Sequence, residues 1–369
     1  MTETFPPEVN GVARTLRQLL RGLAGRGHQV QLVRPRQARP DRFHRREPWQ
    51  QLLVRGLPLP FYRGLRFGLP SLLRLRRSWS SRPPDAVHIA TEGPLGLGAL
   101  FIAGRLGIPV MSSFHTNFHQ YGRHYGYGVR FAIAYLRWFH NRTRRTLVPS
   151  QDVRDALARD GFLKLEILGR GVDGELFHPS RRSESLRSSW GADSETPVAV
   201  YVGRLAEEKN PDLLLRALEE FRRACPRGRT VLVGDGPAAD RMRRLDSRSL
   251  FCGVRRGEDL ARHYASADVM LSPSSTETFG NVVLEAMASG LPVLCFDYAA
   301  GRQVITPRRN GFLAAFGDDR AFLEETRTLA AMPMSELRAL GRAARAPAPA
   351  PPGEGVVSEF ETRRAAPNA

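Results

Sequence analysis

Two carboxylates, Glu277 and Glu285, stand with seven residues between them in the stretch SSTETFGNVVLEAMASGLPV. An ionised carboxylate only accepts hydrogen bonds and can take two vicinal hydroxyls at once, so such a pair suits a hydroxyl-rich ligand. The same two residues would also be at home as surface charges near a helix start, where the helix dipole favours them. Gly11 stands in PPEVNGVARTLRQLL, a proline- and glycine-bearing loop that runs into an amphipathic helix. Backbone N–H groups at a helix N-terminus, with no side chain in the way, suit a diphosphate; a glycine there is also an ordinary turn residue. Arg204 and Lys209 share the loop GRLAEEKNP, and Lys209 is one of only two lysines, with Lys164, in an arginine-rich chain. His115 ends the run PVMSSFH, and Glu92, in ATEGPLGLGA, ends another and could face an acceptor.

The elements that must hold these groups are legible as alternating apolar strands and helices. The strand DVMLSPS precedes the glutamate pair and PVLCFD follows it. Between them the pattern gives a loop and a short helix from about Asn281 to Ser289, stopped by Gly290 with Pro292 two residues on. Glu277 is then on a loop at a strand's carboxyl end and Glu285 in the helix, at the edge where open parallel sheets bind ligands. Further strands are expected at HQVQLV, QLLVRGL, DAVHIAT, PVMSSFH, RTLVPS and KLEILGR in the first half. In the second half they are VAVYVGR, TVLVGDG, SLFCG and GFLAA. Continuous apolar strands between helical stretches read as parallel sheets covered on both faces. The polar stretch GVDGELFHPSRRSESLRSSWGADSETP reads as the connection between two domains. The expected fold is α/β, with two αβα domains of similar size facing each other across a cleft. Their expected bounds are 1–168 and 169–340, with a Pro/Ala-rich tail over 341–369 that is partly disordered.

The block from Glu277 to Pro292 resembles the two-glutamate motif of the family 4 retaining glycosyltransferases, which have the GT-B architecture of two Rossmann-like domains. The resemblance spans roughly residues 1–330. It implies that Glu277 contacts hydroxyls of a donor sugar and that Glu285 hydrogen-bonds the ribose of its nucleotide. It implies that Arg204 and Lys209 hold the diphosphate, where a cation pair would offset charge as the phosphate leaves. Gly11 and Gly280 fall at donor-binding positions, and His115 beside the transferred sugar and its phosphate. TVLVGDGP and SLFCGVRRGEDLARHYASAD are expected to wall the nucleotide pocket, and the resemblance implies that the segment SLFCGV meets the base largely through backbone. The implied activity is hexosyl transfer from a nucleotide-diphosphate sugar to a membrane glycolipid or another glycan. GDP-mannose is the first expectation for the donor and a UDP-hexose the second. No DxD-type pair suited to holding a metal on the donor is present, so no metal and no cofactor are expected. In the front-face reaction of retaining members, the leaving phosphate takes the acceptor's proton.

Composition narrows the class further. A length of 369 residues makes two domains the default. Three widely spaced cysteines with no CxxC suggest a reducing compartment and neither a disulfide framework nor a zinc site. No run is long enough to span a membrane, and MTETFPPEVN is not a signal peptide, so a cytoplasmic protein is expected. The net charge of +18 is uneven: residues 11–82 carry 17 arginines against Asp41 and Glu47. Residues 55–79, RGLPLPFYRGLRFGLPSLLRLRRSW, mix leucine, aromatic and arginine. They read as an ordinary surface helix and loop, or as a basic amphipathic face for anionic lipid at the inner side of the cell membrane. Charge alone would also allow a nucleic-acid-binding protein, but there is no helix-turn-helix, RNA-binding aromatic motif or zinc pattern, so no nucleic-acid partner is expected. An inactive, truncated relative is the other alternative. The family places a central strand ahead of ETFPPEVNGV that this chain lacks, so the true start is expected upstream of Met1. Without that strand, neighbouring strands lose ladder partners and the core opens. RAPAPAPPGEG cannot be a regular helix, and GVVSEFETRR is read as a remnant of one crossing back to the first domain.

Overall fold

The structure is a computed structural model and describes residues 1–5, 11–36, 47–58, 66–115, 127–277, 279–345, 357–358 and 360–362. It divides into two compact units, Met1–Arg170 with Pro352–Ala369, and Gly171–Pro351. No helix among the described residues is long and apolar enough to cross a membrane.

The first unit runs α1 (Gly11–Gly25), β1 (Gln31–Pro35), β2 (Gln50–Val54), β3 (Gly56–Pro58), β4 (Arg66–Gly68), α2 (Leu72–Ser81), β5 (Val87–Ile89) and α3 (Pro94–Arg105). It continues through β6 (Val110–Ser113), α4 (Tyr127–His140), β7 (Arg145–Val148), α5 (Gln151–Arg159) and β8 (Leu165–Ile167). Strands β5-β6-β7-β8 form one parallel sheet in that order, and β1 pairs β2 in parallel. The run QLLVRGL, expected as one strand, breaks at Arg55 into β2 and β3. There Gly56 lies against Pro35, and an added Cβ would come within 2.8 Å of that ring. β3 then turns back on β4 as an antiparallel pair, which the sequence reading did not anticipate.

Helix α3 starts with Pro94, whose missing N–H is no loss at a first helical position. Its Leu95, Ala99, Ile102 and Ala103 recur at helical spacing and pack with Val87, Ile89 and Val110 of the sheet. Between β1 and β5, Thr2 N–H donates to Val33 O at 3.1 Å and Ala90 N–H to Met1 O at 2.9 Å. A cavity of about 860 Å³ lies beside this bridge, its wall including Leu16, Leu32, Trp79, Val87 and Met111. From the far end of the chain, Val357 and Phe360 are buried with Leu19, Met111 and Leu147 of the same unit.

The second unit comprises α6 (Glu184–Ser189), β9 (Val198–Val202), α7 (Pro211–Ala224), β10 (Arg229–Val233), α8 (Ala239–Leu245), β11 (Leu250–Gly253) and α9 (Gly257–Ala265). It goes on through β12 (Val269–Ser272), α10 (Asn281–Ala288), β13 (Val293–Phe296), α11 (Ala299–Val304), β14 (Gly311–Ala314), α12 (Asp319–Ala330) and α13 (Met334–Arg345). Six strands form one parallel sheet in the order β11-β10-β9-β12-β13-β14. One apolar cluster covers each face. Val200, Val231 and Met270 belong to the first, and Ala199, Leu232 and Leu271 to the second. Adjacent residues of a strand point to opposite faces, so runs such as VAVYV must be apolar throughout. The order reverses at β9, whose neighbours β10 and β12 continue the sheet in opposite directions. That is a topological switch point, and the loops at its carboxyl edge are where a ligand would be sought.

Candidate active site

In the second unit, β9 and β12 are neighbours, with Val269 opposite Ala199. The loops leaving their carboxyl ends therefore meet. Thr276 Oγ1 donates to Glu208 O at 2.5 Å, tying the two loops together. Lys209 sits at the end of a 3-10 turn, Glu207–Lys209, and its Nζ bonds Glu277 Oε1 at 2.5 Å. Both side chains are about one-fifth exposed, so the pair is drawn out of bulk water yet still reachable. Glu277 N–H donates to Tyr298 Oη at 2.5 Å, and Tyr298 Oη donates to Ser274 O at 3.1 Å. The Glu277 backbone is thereby fixed from the β13 side. Burial and then the Glu277 charge push the Tyr298 phenol well up, so it stays protonated and can donate.

Gly280 is the N-cap of α10 with φ +97°, a left-handed conformation that disfavours any side chain. Glu285 projects from α10 into the protein, 4% exposed, and accepts a hydrogen bond from Tyr264 Oη at 3.1 Å. Arg204 stands at the same sheet edge, but its side chain is more than half exposed and pairs with Glu208 at 2.9 Å. Lys209, Glu277 and Gly280 are thus brought together, Glu285 is anchored beneath them on the same helix, and Arg204 reaches outward. The loops after β9 and β10 pack backbone to backbone, because a Cβ on Gly234 would strike Gly203 O. Gly234 is therefore what allows TVLVGDGP to close up against the β9 loop.

In the first unit, His115 follows β6 and Arg170 follows β8. Arg170 Nη2 lies 2.8 Å from His115 Nδ1. A guanidinium can only donate, so Nδ1 is the acceptor and the ring proton must sit on Nε2. Among the described residues His115 Nε2 is buried and has no partner. Burial, and after it the Arg170 charge, holds His115 well below the usual imidazole range, so the ring is neutral. It is therefore a fixed neutral donor with one unused N–H.

Glu92, at the end of β5, faces inward and bonds His140 Nε2 at 3.0 Å. His140 Nδ1 in turn meets Ser112 Oγ at 2.8 Å, and Tyr135 Oη donates to Glu92 O at 2.5 Å. Beside them Glu3 Oε1 accepts from Leu95 N–H at 3.1 Å, and burial raises Glu3 to about 7. Gly11 opens α1, which places it at a helix N-terminus; residues 6–10 before it lie outside the described residues, as do residues 59–65 of the basic segment.

Arg170, Tyr298, Tyr264, His140 and Glu3 were not singled out from sequence. Arg170 was visible only as the last letter of the expected strand KLEILGR. Its approach to His115 depends on β6, β7 and β8 lying side by side, which spacing along the chain does not reveal.

Residues 9–176 match the family model described as Glycosyltransferase Family 4, and residues 196–332 match the model Glycosyl transferases group 1. The chain is 36% identical over 327 residues to a protein of Mycobacterium tuberculosis (strain CDC 1551 / Oshkosh) named GDP-mannose-dependent alpha-mannosyltransferase. That match covers 86% of this chain and 83% of the relative. It is 28% identical to alpha-monoglucosyldiacylglycerol synthase of Streptococcus pneumoniae, over 85% of this chain and 74% of that one. Among solved structures, Anabaena Alr3699/HepE in complex with UDP and glucose superposes with a TM-score of 0.77 at 19% identity, covering 99% of both chains.

Proposed function

The chain belongs to glycosyltransferase family 4 and has the GT-B fold, and we propose that it transfers mannose from GDP-mannose, with retention, to a membrane glycolipid. Hexosyl transfer follows from the family. The choice of mannose and of a guanine nucleotide rests on the mycobacterial relative, whose name specifies both and with which it shares 36% identity. A lipid-based acceptor is supported by the diacylglycerol-directed streptococcal relative.

The observation that carries the reading is the Lys209–Glu277 pair at the β9/β12 switch point. Glu277 accepts sugar hydroxyls, and Lys209 beside it offsets the charge that grows on the departing diphosphate. Gly280 leaves the start of α10 free of a capping side chain, which suits a phosphate oxygen at the positive end of the helix. Glu285 accepts from the ribose, Arg204 adds a second cation, and Gly11 gives a further helix start for the diphosphate. His115 donates its unused Nε2–H to the transferred sugar. Glu92 acts on the acceptor side through its bond to His140.

In the reaction, the bond from the sugar C1 to the diphosphate oxygen breaks. The bond from C1 to the acceptor oxygen forms on the same face, and the acceptor's proton passes to the departing phosphate. No step needs a metal ion: Lys209 and Arg204 supply the positive charge, and the sequence has no DxD pair. Transfer that persists in a chelator supports this, and a strict requirement for added Mg²⁺ or Mn²⁺ would refute it.

The enzyme docks on anionic lipid from the cytoplasmic side. Helix α2 exposes Leu72 and Leu73 beside Arg74, Arg76 and Arg77. On α3 and α4, Arg105 covers the exposed Phe101 and Arg142 the exposed Trp138, each guanidinium within about 4.2 Å of the ring centre. Paired arginines and aromatic rings suit a headgroup layer.

Calorimetric titration with GDP and UDP tests the donor site. GDP binding is expected to exceed UDP binding and to weaken about tenfold or more in Lys209→Met, as for loss of a charge-assisted contact. Equal binding of both nucleotides would overturn the guanine assignment, and unchanged GDP binding in Lys209→Met would overturn the placement.

A further inference from the structure

The opposite edge of the second unit's sheet carries a feature that donor binding does not use. At the amino ends of β12 and β13, helix α13 lies across the C-terminal end of α10. The approach is close because Gly341 has no side chain: a Cβ there would collide with Gly290 O. Gly290 itself holds φ +81° just past the end of α10. Beside this crossing lies a pocket of about 520 Å³, within the size range of small-ligand sites.

Its wall is basic. Arg338, Arg342 and Arg345 recur at four- and three-residue steps, which puts them on one face of α13. Arg182 reaches the same pocket from the turn Pro179–Arg181. Two of the four are committed to carboxylates. Arg182 bonds Asp268 at 3.1 Å, and Arg338 bonds Glu195 at 2.9 Å. Arg345 donates to Ala288 O at 2.6 Å, a neutral partner that leaves its charge uncompensated. Among the described residues Arg342 has no hydrogen bond or ion pair. Capping of the α10 carbonyls accounts for Arg345 alone.

A second observation is independent of the arginines. Ser289 lines the pocket and is 2% exposed, yet its hydroxyl has no hydrogen-bond partner. A buried hydroxyl left unpaired costs free energy that a ligand oxygen would recover. Pro179, Ala265 and Leu337 supply an apolar floor.

We infer that this pocket is a second binding site, for a phosphate monoester with a short apolar substituent. Arg342 and Arg345 engage the phosphate, Ser289 Oγ–H donates to one of its oxygens, and the substituent lies on the apolar floor. Planar guanidinium groups favour phosphate oxygens over less structured anions. The site is separate from the Lys209–Glu277 pair, which stands at the carboxyl edge of the same strands.

The test uses the full chain with inorganic phosphate and hexyl phosphate as probes, followed by ³¹P NMR and calorimetry. Hexyl phosphate is expected to bind more tightly than inorganic phosphate. Its affinity should fall about tenfold or more in Arg342→Glu, an exposed position that will not disturb folding. It should fall less in Ser289→Ala, and not at all in Lys209→Met. Binding unchanged in Arg342→Glu, or lost in Lys209→Met, would overturn the proposal. Flotation with phosphatidate vesicles separates the sources. Capture that Arg342→Glu abolishes assigns a lipid headgroup, and ester binding without capture assigns a free metabolite; each supports the site.

Discussion

At His115 the chemistry depends on a proton held in a fixed place. Arg170 is a positioning residue: by donating to Nδ1 it confines His115 to the Nε2–H tautomer. Arg170→Leu should therefore lower kcat by more than it raises the KM for GDP-mannose. The ¹⁵N shifts of His115 should show both tautomers in the variant and one in the parent. An unchanged kcat with a single tautomer would contradict this. Other buried groups of the first unit make stability depend on pH, with opposing signs. Burial lowers His88 to about 3 and pushes His115 in the same direction. Below the ordinary histidine value of about 6.5, the unfolded chain takes up protons that these native rings refuse, so acid destabilises the fold. Glu3 acts the other way. Raised to about 7, it holds a proton in the native state that the unfolded chain has released above roughly 4.3. Between about 4.5 and 6.5 the two histidines outweigh the one carboxyl. The urea midpoint should fall from pH 6.5 to pH 5, and fall more steeply in Glu3→Gln. A midpoint that rose toward pH 5 would refute the assignment. The residues legible in the sequence were those in local motifs, such as Glu277, Lys209 and Gly280. Arg170, Tyr298 and Tyr264 are set by lateral contacts between elements, which no local pattern encodes.

At the level of elements, the site is a product of two loop ends and one helix start. Gly280 takes φ +97° so that the chain can turn from the Glu277 loop into α10. Gly280→Ala forces a side chain into that conformation at a cost of about 1–2 kcal/mol, and it displaces the first turn of the helix. The variant should melt several degrees lower and bind GDP more weakly. Unaltered melting and binding would show that the turn is not needed. The twelve expected strands all have counterparts; central ones such as β9 and β13 are buried throughout, must be apolar on both faces and are readable as continuous runs. The β3–β4 pair was missed for a matching reason. Its three-residue strands show no run or alternation long enough to register, and the close approach of Gly56 to Pro35 beside the break is a contact between segments distant in sequence. The bond of Glu285 to Tyr264 was illegible too, since it depends on how α9 packs against α10.

For the molecule as a whole, charge and family point to different partners, and only family membership identifies the chemistry. A net charge of +18 attracts anionic surfaces of any kind. Docking on lipid through α2 predicts capture by phosphatidylglycerol vesicles that weakens between low salt and about 0.5 M salt, as surface charges are screened. Leu73→Glu should weaken capture at every salt concentration, because Leu73 is 71% exposed and contributes by insertion. Equal capture of the variant would shift the docking face elsewhere. The two-unit α/β architecture could be read from the alternation of elements, and the return of Val357 and Phe360 to the first unit agrees with GVVSEFETRR read as a remnant of a helix crossing back to that domain. The most direct test of the central claim is a transfer assay with GDP-[¹³C]mannose and a diacylglycerol-based glycolipid, the product anomer being read by NMR. The account requires an α-linked mannolipid from the parent enzyme and a kcat lower by about 10²-fold in Glu277→Gln, the scale seen when a transition-state contact is removed. A β-linked product, or full turnover by Glu277→Gln, would contradict it.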